Sequence, residues 1–155
     1  MEIKNSPLDL SKFDSEYAEL YESTNLEFKT NMSYGIIKNI HDSICAFLNR
    51  NGGHVIIGIE NSRRIVGIDP DQFDKFIIDC IDSITHQSEI VQDTKGYFIN
   101  PFLVTPQLHK NALGKYLCIV RVQTDLDLIT SGVRSHYRLK TGESYFRLYA
   151  SNYKV

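Results

Sequence analysis

The chain has 155 residues, of which 42% are hydrophobic and 23% are charged, a balance typical of one globular domain and not of a disordered or fibrous chain. The net charge of −2 excludes binding of nucleic acid through an overall basic excess, so phosphate contacts would have to come from a local patch. Short apolar runs and an N-terminus without the layout of a secretory signal predict a cytoplasmic protein with no membrane partner.

Hydrophobic periodicity predicts two helices and several short strands. Alternation over residues 25–29 is typical of a half-buried strand that leaves Glu27 and Lys29 on an open sheet face. A 3.6-residue period over 33–50 predicts a helix, which Asn-Gly-Gly at 51–53 ends. Further elements are predicted in chain order: a strand at 54–60 with a hairpin partner at 65–68, a second helix that begins at 69–71, and strands at 97–104, 116–122, 137–140 and 145–149.

These elements predict an α+β fold, with a mixed, largely antiparallel sheet and two main helices packed on one face. Residues 1–18 are polar with few hydrophobics and are predicted to be an N-terminal extension, whereas 19–155 form the domain. The three cysteines lie far apart among apolar neighbours and include no CxxC pair. They are therefore expected to be reduced core thiols, not disulfide partners or zinc ligands.

Three glutamates near predicted strand ends are the candidate catalytic and metal-binding residues. Glu27 lies on a strand, Glu60 ends an apolar run, and a turn at 23–25 would bring Glu22 to the same site as Glu27. Carboxylates gathered at a strand edge are the ligands that Mg²⁺ or Mn²⁺ prefers, and such a metal activates water for phosphodiester hydrolysis. Spacing alone leaves open that all three are ordinary solvated or salt-bridged surface residues.

Basic and aromatic residues interleave in two places. One is the hairpin turn next to Glu60, which carries Arg63 and Arg64. Positive side chains neutralise phosphates and tyrosine rings stack on unpaired bases, so such segments are candidate nucleic-acid surfaces, although a strand with an amphipathic outer face explains them equally well. The second segment lies near the C-terminus and comprises Arg134, His136, Tyr137, Arg138, Lys140, Tyr145, Arg147 and Tyr149.

Four motifs in a fixed order carry a resemblance to a known family. They are Glu-Ser-Thr-Asn-Leu-Glu-Phe-Lys at 22–29, Ala-Phe-Leu-Asn-Arg-Asn-Gly-Gly at 46–53, Ile-Ile-Gly-Ile-Glu at 56–60 followed by Ile-Val-Gly-Ile at 65–68, and Tyr-Phe-Arg-Leu-Tyr-Ala-Ser at 145–151. This series resembles the AlbA-like domain of the Schlafen family over roughly residues 20–151.

The resemblance implies a nucleic-acid-binding fold whose members include metal-dependent endoribonucleases that cut transfer or ribosomal RNA. Their three acidic residues map onto Glu22, Glu27 and Glu60, with Mg²⁺ or Mn²⁺ as the expected cofactor. The third acid is usually Asp, so Glu60 is a departure with a longer side chain. The residues expected to contact the nucleic acid are Lys29, Arg63, Arg64, Arg134, Arg138, Lys140 and Arg147.

Vertebrate Schlafen cores join two such lobes around a cleft and carry a zinc site, whereas this chain has one lobe and no evident zinc ligands. We therefore expect it to pair with itself or with a related Schlafen-like subunit. Three functions stay open on the sequence: an endoribonuclease acting on transfer RNA or small structured RNA, a non-catalytic nucleic-acid-binding module, and a dimerisation module for an active homologue.

Overall fold

The fold was taken from a computed structural model, which describes residues 3–4, 7–92, 99–130 and 135–155. The strands are β1 (Ile3–Lys4), β2 (Leu26–Lys29), β3 (Gly53–Ile57), β4 (Ile90–Gln92), β5 (Val104–Lys110), β6 (Tyr116–Val122), β7 (Thr124–Asp125), β8 (Tyr137–Leu139), β9 (Tyr145–Leu148) and β10 (Ser151–Lys154). The α-helices are α1 (Tyr34–Leu48), α2 (Phe73–Phe76), α3 (Ser83–His86) and α4 (Leu126–Ile129).

The largest sheet among the described residues has the strand order β2-β3-β6-β5. β2 runs parallel to β3, and the other two pairings are antiparallel. Smaller antiparallel pairs join β4 to β8, β9 to β10 and β1 to β7. The predicted α+β fold, with a mixed and largely antiparallel sheet and two helical units on one face, is confirmed.

Both faces of this sheet are covered, because successive strand residues point to opposite sides. The main core lies on the face under α1 and includes the buried side chains of Val55, Ile57, Cys118 and Val120. The opposite face carries Leu26, Phe28, Ile56, Leu117 and Ile119, which pack against Phe13 and Ala18 of the N-terminal segment. Residues expected to be an extension therefore supply part of a second core, and the three cysteines are buried free thiols as predicted.

The second predicted helix is present but contains a π-helical turn, Ile77–Asp82, between α2 and α3. A hydrogen bond of 2.9 Å joins Nε2 of His41 on α1 to the carbonyl oxygen of Cys80. A carbonyl oxygen is only an acceptor, so this ring nitrogen carries the hydrogen. The π turn thus gives that carbonyl a partner from the neighbouring helix, and Ser83 Oγ also donates to it at 2.9 Å.

Two strand predictions are wrong. The hairpin partner predicted at 65–68 is not a strand, and only Ile65 forms an isolated antiparallel bridge, with Ile59. The strand predicted at 97–104 is wrong in position. Residues 93–98 lie outside the described residues, and 101–103 form a 3₁₀ turn, so the described part of the predicted strand 97–104 is not a strand until Val104. The strand is instead β5, which runs through Pro106. Proline lacks an N–H, and β5 tolerates it because it is an edge strand with one unpaired side. Short strands β4 and β10 were not predicted.

The Gly-Gly turn after α1 brings three backbone segments into close contact, as its sequence indicates. Gly52 has a φ of 73°, and a Cβ there would collide with the carbonyl oxygen of Val122. At Gly53 a Cβ would lie 2.5 Å from the carbonyl oxygen of Asn25 and 2.9 Å from the ring of Phe47. Glycine at these positions lets β3 lie directly against the start of β2.

Replacing Gly53 by alanine is expected to lower the free energy of unfolding by about 1–3 kcal/mol, the usual cost of overpacking a core. Urea unfolding followed by circular dichroism measures the loss. Gly35→Ala is the matched control, since Gly35 lies in α1 with nothing within 4 Å of the added Cβ. This control should unfold at the same or slightly higher urea concentration. Equal midpoints for the two variants would contradict the proposed close contact.

Candidate functional site

A buried ion pair joins the edge strand β2 to the C-terminal hairpin. Arg147 of β9 is 0% exposed and its Nη1 donates to Glu27 Oε2 at 2.5 Å. Glu27 itself is only 8% exposed. The prediction that Glu27 lies on an open sheet face is therefore wrong, because the β9–β10 hairpin covers that side of β2. Lys29 approaches the other oxygen, Oε1, at 3.7 Å.

All the remaining donors of Arg147 point at nearby oxygen atoms. Nε and Nη2 donate to the carbonyl of Ser23 at 3.2 and 2.9 Å, and Nη2 also donates to the carbonyl of Leu26 at 3.0 Å. Nη1 donates to Asn152 Oδ1 at 2.8 Å, and the guanidinium lies 5.0 Å from the ring centre of Phe47. The assignment of Arg147 to the nucleic-acid surface is wrong, since this side chain is enclosed and fully hydrogen-bonded.

Glu22 lies beside Glu27 and Arg147, and its pKa is raised. Burial, followed by the negative charge of Glu27 and a hydrogen bond between the two carboxyl groups, raises the pKa of Glu22 to about 7, against the opposing effect of Arg147. The turn at 23–25 that brings Glu22 to Glu27 is present, with the backbone N–H of Ser23 donating to the carbonyl of Leu26 at 2.9 Å. A carboxyl group that is half ionised near neutral pH can either accept or donate a proton.

Glu60, the third predicted acid, lies in the hairpin turn with Arg63 and Arg64. Its backbone N–H donates to the carbonyl of Arg64 at 2.9 Å, and Ser62 Oγ donates to its Oε2 at 3.4 Å. Within the described parts of the chain, no group of three or more His, Cys, Asp or Glu side chains is arranged to hold a metal ion. The described donor set, a proton-sharing pair with one member bound to arginine, does not fit a three-carboxylate metal site.

An exposed aromatic residue precedes Glu22 and was not predicted as part of the site. Tyr21 is 69% exposed, and the guanidinium of Arg63 lies 3.9 Å from the centre of its ring. Arg63 is held in place by a hydrogen bond of 2.6 Å from Nη1 to the carbonyl of Ala18, and has a φ of 71°. The only sequence signal for Tyr21 was its position next to Glu22.

The C-terminal basic and aromatic segment does not form one surface. Tyr137 and His136 are buried, and Tyr145 packs against the main core. Arg138 is half-buried, whereas Lys140 is exposed and lies with Lys38 and Lys75 along a groove beside α1. Arg134 lies outside the described residues. Arg64 is exposed in the hairpin turn, as predicted.

The family model described as Schlafen, AlbA_2 matches residues 22–155. The match starts at Glu22 and includes β2, both helical units and the C-terminal hairpin. The chain belongs to the Schlafen AlbA_2 family.

Two solved structures are similar to this Schlafen AlbA_2 chain. The DIP2311 protein from Corynebacterium diphtheriae is 15% identical over 85% of this chain, with a TM-score of 0.52, and this chain spans only 22% of its length. The N-terminal domain of a putative ATP-dependent DNA helicase RecG-related protein from Nitrosomonas europaea is 22% identical, with a TM-score of 0.47, over 70% of this chain and 69% of that one. The first likeness supports the fold.

Two family-motif residues of this Schlafen AlbA_2 chain hold the fold together around the acidic pair. Arg147 is one, and Asn49, at the end of α1, is the other. Asn49 Oδ1 accepts from the backbone N–H groups of His136 and Tyr137 at 2.8 Å each, while Nδ2 donates to the carbonyl of Tyr145 at 2.8 Å. The motifs at 46–53 and 145–151 thus fix β8 and β9 against α1 and place Arg147 beside Glu27.

The raised pKa of Glu22 makes stability depend on pH. Between pH 4.5, the ordinary pKa of a glutamate, and about pH 7, the unfolded chain loses this proton while the folded chain keeps it. The stabilisation is therefore complete below about pH 4.5 and is lost as the pH rises toward about 7. Glu22→Gln keeps a neutral side chain at every pH, so it should melt at a higher temperature than the native chain at pH 8.

At pH 4.5 the melting temperatures of the two proteins should be nearly equal. Thermal unfolding followed by circular dichroism at both pH values measures the difference. Glu19→Gln, a change at an exposed glutamate of the same segment, should show no comparable gain at pH 8. A gain of the same size at both pH values for Glu22→Gln would contradict the assignment.

Proposed function

We propose that this chain binds nucleic acid, RNA in preference to DNA, along the edge formed by Tyr21, Arg63 and the Glu22–Glu27 pair. The observation that carries the proposal is the exposed ring of Tyr21, which Arg63 supports at 3.9 Å. An exposed tyrosine backed by a guanidinium is a platform for an unpaired base, and stacking on such a ring contributes about 1–3 kcal/mol per base. Membership of the Schlafen AlbA_2 family supports the same reading.

The charge distribution favours a single strand over a duplex. The chain carries a net charge of −2, so long-range attraction to a highly charged duplex is weak. Among the described residues, the cations near the edge are Arg63 and Arg64 in the hairpin turn, and Lys29, which lies 3.7 Å from Glu27. Stacking and a small number of phosphate contacts are therefore expected to supply most of the affinity, with a shallow dependence on salt.

Tyr21→Ala is expected to weaken binding of a single-stranded RNA about 5- to 150-fold, which corresponds to about 1–3 kcal/mol for one stacked base. Fluorescence anisotropy with a labelled RNA, and with DNA of the same sequence, measures the change. Tyr149→Ala is the matched control, because Tyr149 is 75% exposed at the β9–β10 turn. Loss of affinity in Tyr149→Ala but not in Tyr21→Ala would move the interface to the C-terminal hairpin.

A second candidate function is endoribonuclease activity on transfer RNA or small structured RNA, and the acidity of Glu22 is the observation that favours it. A side chain with a pKa of about 7 is suited to accept the proton of an attacking hydroxyl group at neutral pH. Glu27 would keep Glu22 in this state and orient it through their shared hydrogen bond. No step of this proposal passes through a metal ion.

Glu22→Gln is the informative variant for cleavage, because it preserves the size of the side chain and removes the titrating proton. Glu27→Ala would be less informative, since it leaves the buried Arg147 without its anionic partner, a change that typically costs about 3–5 kcal/mol of stability. Loss of general base catalysis is expected to slow cleavage about 100- to 10,000-fold. Labelled transfer RNA, incubated with and without Mn²⁺ or Mg²⁺, provides the assay.

Unchanged cleavage in Glu22→Gln would rule out this role for Glu22, and the Glu60→Gln variant in the same assay tests whether the third acid contributes. If the native chain cleaves nothing while it binds RNA, the binding module is the better description.

In the described part of the chain, no helix has the length and apolar character needed to cross a membrane. Pairing with a second Schlafen-like lobe stays part of the proposal.

A further inference from the structure

A row of polar side chains lies on the sheet face opposite to Glu27. Strand register aligns Leu26, His54, Arg121 and Thr105 across β2, β3, β6 and β5. Their neighbours Ile56 and Ile119 belong to the second core, so this row shares the face that the N-terminal segment covers. An arginine and a histidine therefore stand side by side at one end of an apolar face.

The N-terminal segment leaves a cavity of about 570 Å³ over this row. His54, Arg121, Thr105 and Gln107 form its polar side, while Leu8 and Leu10 contribute to its apolar side. The volume lies within the range of small-molecule sites and is larger than one inorganic anion requires. An occupant would have a charged or polar group at one end and an organic part at the other.

Arg121, the cation of this pocket, has no anionic partner among the residues that the structure describes. Neither Arg121 nor His54 forms a side-chain hydrogen bond or an ion pair with a described residue, and the described lining contains no carboxylate. His54 is 6% exposed, and burial, followed by the charge of Arg121, lowers the pKa of His54 to about 4. The buried imidazole is therefore neutral near neutral pH, and the guanidinium of Arg121 beside it, without a counter-charge among the described residues, favours a bound anion.

We propose that this pocket binds a phosphate monoester that carries an organic group of about nucleoside size. The guanidinium of Arg121 matches the geometry of a phosphate and donates two parallel hydrogen bonds to it. His54 and Thr105 supply further polar contacts, and the organic group packs against Leu8 and Leu10. The pocket shares no lining residue with the RNA-binding edge, so the two proposals can fail independently.

Phosphate is favoured over carboxylate because its charge near neutral pH is about −1.5 to −2. The larger charge is attracted more strongly by the guanidinium of Arg121, and the neutral ring of His54 can still donate one hydrogen bond. Two sources can supply such a group: a free nucleotide, or the phosphorylated 5′ end of an RNA strand. The chemistry recognised is the same in both, and the experiment distinguishes them.

The test is calorimetric titration of the full chain with adenosine 5′-monophosphate, adenosine and inorganic phosphate. We expect the nucleotide to bind at least tenfold more tightly than either adenosine or phosphate alone. Arg121→Met should weaken nucleotide binding at least tenfold, whereas Arg64→Met, a change of the same kind at an exposed arginine, should leave it unchanged. No binding of the nucleotide by the native chain, or equal binding of nucleotide and adenosine, overturns the proposal.

Thermal unfolding checks that Arg121→Met is folded, and Thr105→Val is a milder second variant that should also weaken nucleotide binding. Competition with two RNA strands, one with a 5′-phosphate and one with a 5′-hydroxyl, identifies the source. A preference for the phosphorylated strand that is lost in Arg121→Met assigns the pocket to RNA ends. Equal competition by the two strands, with nucleotide binding retained, assigns it to free nucleotides. Tyr21→Ala should leave nucleotide binding unchanged, which separates this result from the RNA-binding edge.

Discussion

The buried guanidinium of Arg147 determines where the acidic residues of this chain can lie. Removing an arginine from water costs several kcal/mol, and this cost is offset only when each donor finds an acceptor. Here the acceptors are the carbonyl groups of Ser23 and Leu26, the carboxylate of Glu27 and the amide of Asn152. The first three belong to the turn and strand that precede α1, so one side chain from β9 fixes the shape of the 23–27 segment.

The acidity of Glu22 follows from the same interaction. Because Arg147 holds Glu27 as its ion-pair partner, Glu22 meets a negative charge in a half-buried site and retains its proton up to about pH 7. The arginine also lies near enough to oppose this rise, so the final acidity is a balance between the two charges. A chemical property of the candidate site thus depends on a residue that no ligand can reach.

The elements with a clear hydrophobic periodicity could be predicted from the sequence. β2, α1 and β6 follow apolar patterns that burial enforces, and the structure places them within two residues of the expected bounds. The strand predicted at 97–104 stops before Pro106, whereas β5 runs through it, because a proline is acceptable on an edge strand and the edge is a property of the whole sheet. Arg147 was misplaced for a similar reason: arginine is usually exposed, and the oxygen partners that make burial favourable are mostly on Ser23, Leu26 and Glu27, more than 100 residues away in sequence.

The sequence identified residues of the candidate site better than it identified how they are arranged in space. The turn at 23–25 was a local signal, and it brings Glu22 to Glu27 as expected. Glu60 is different, since its place is set by hydrogen bonds in the 60–64 turn and by Arg63, which binds the carbonyl of Ala18. Arg63 also supports the ring of Tyr21, so the turn that carries Glu60 is linked to the residue directly before Glu22. Any movement of this turn would therefore change the position of Glu60 and the support of Tyr21 together, which couples the acidic and aromatic parts of the edge.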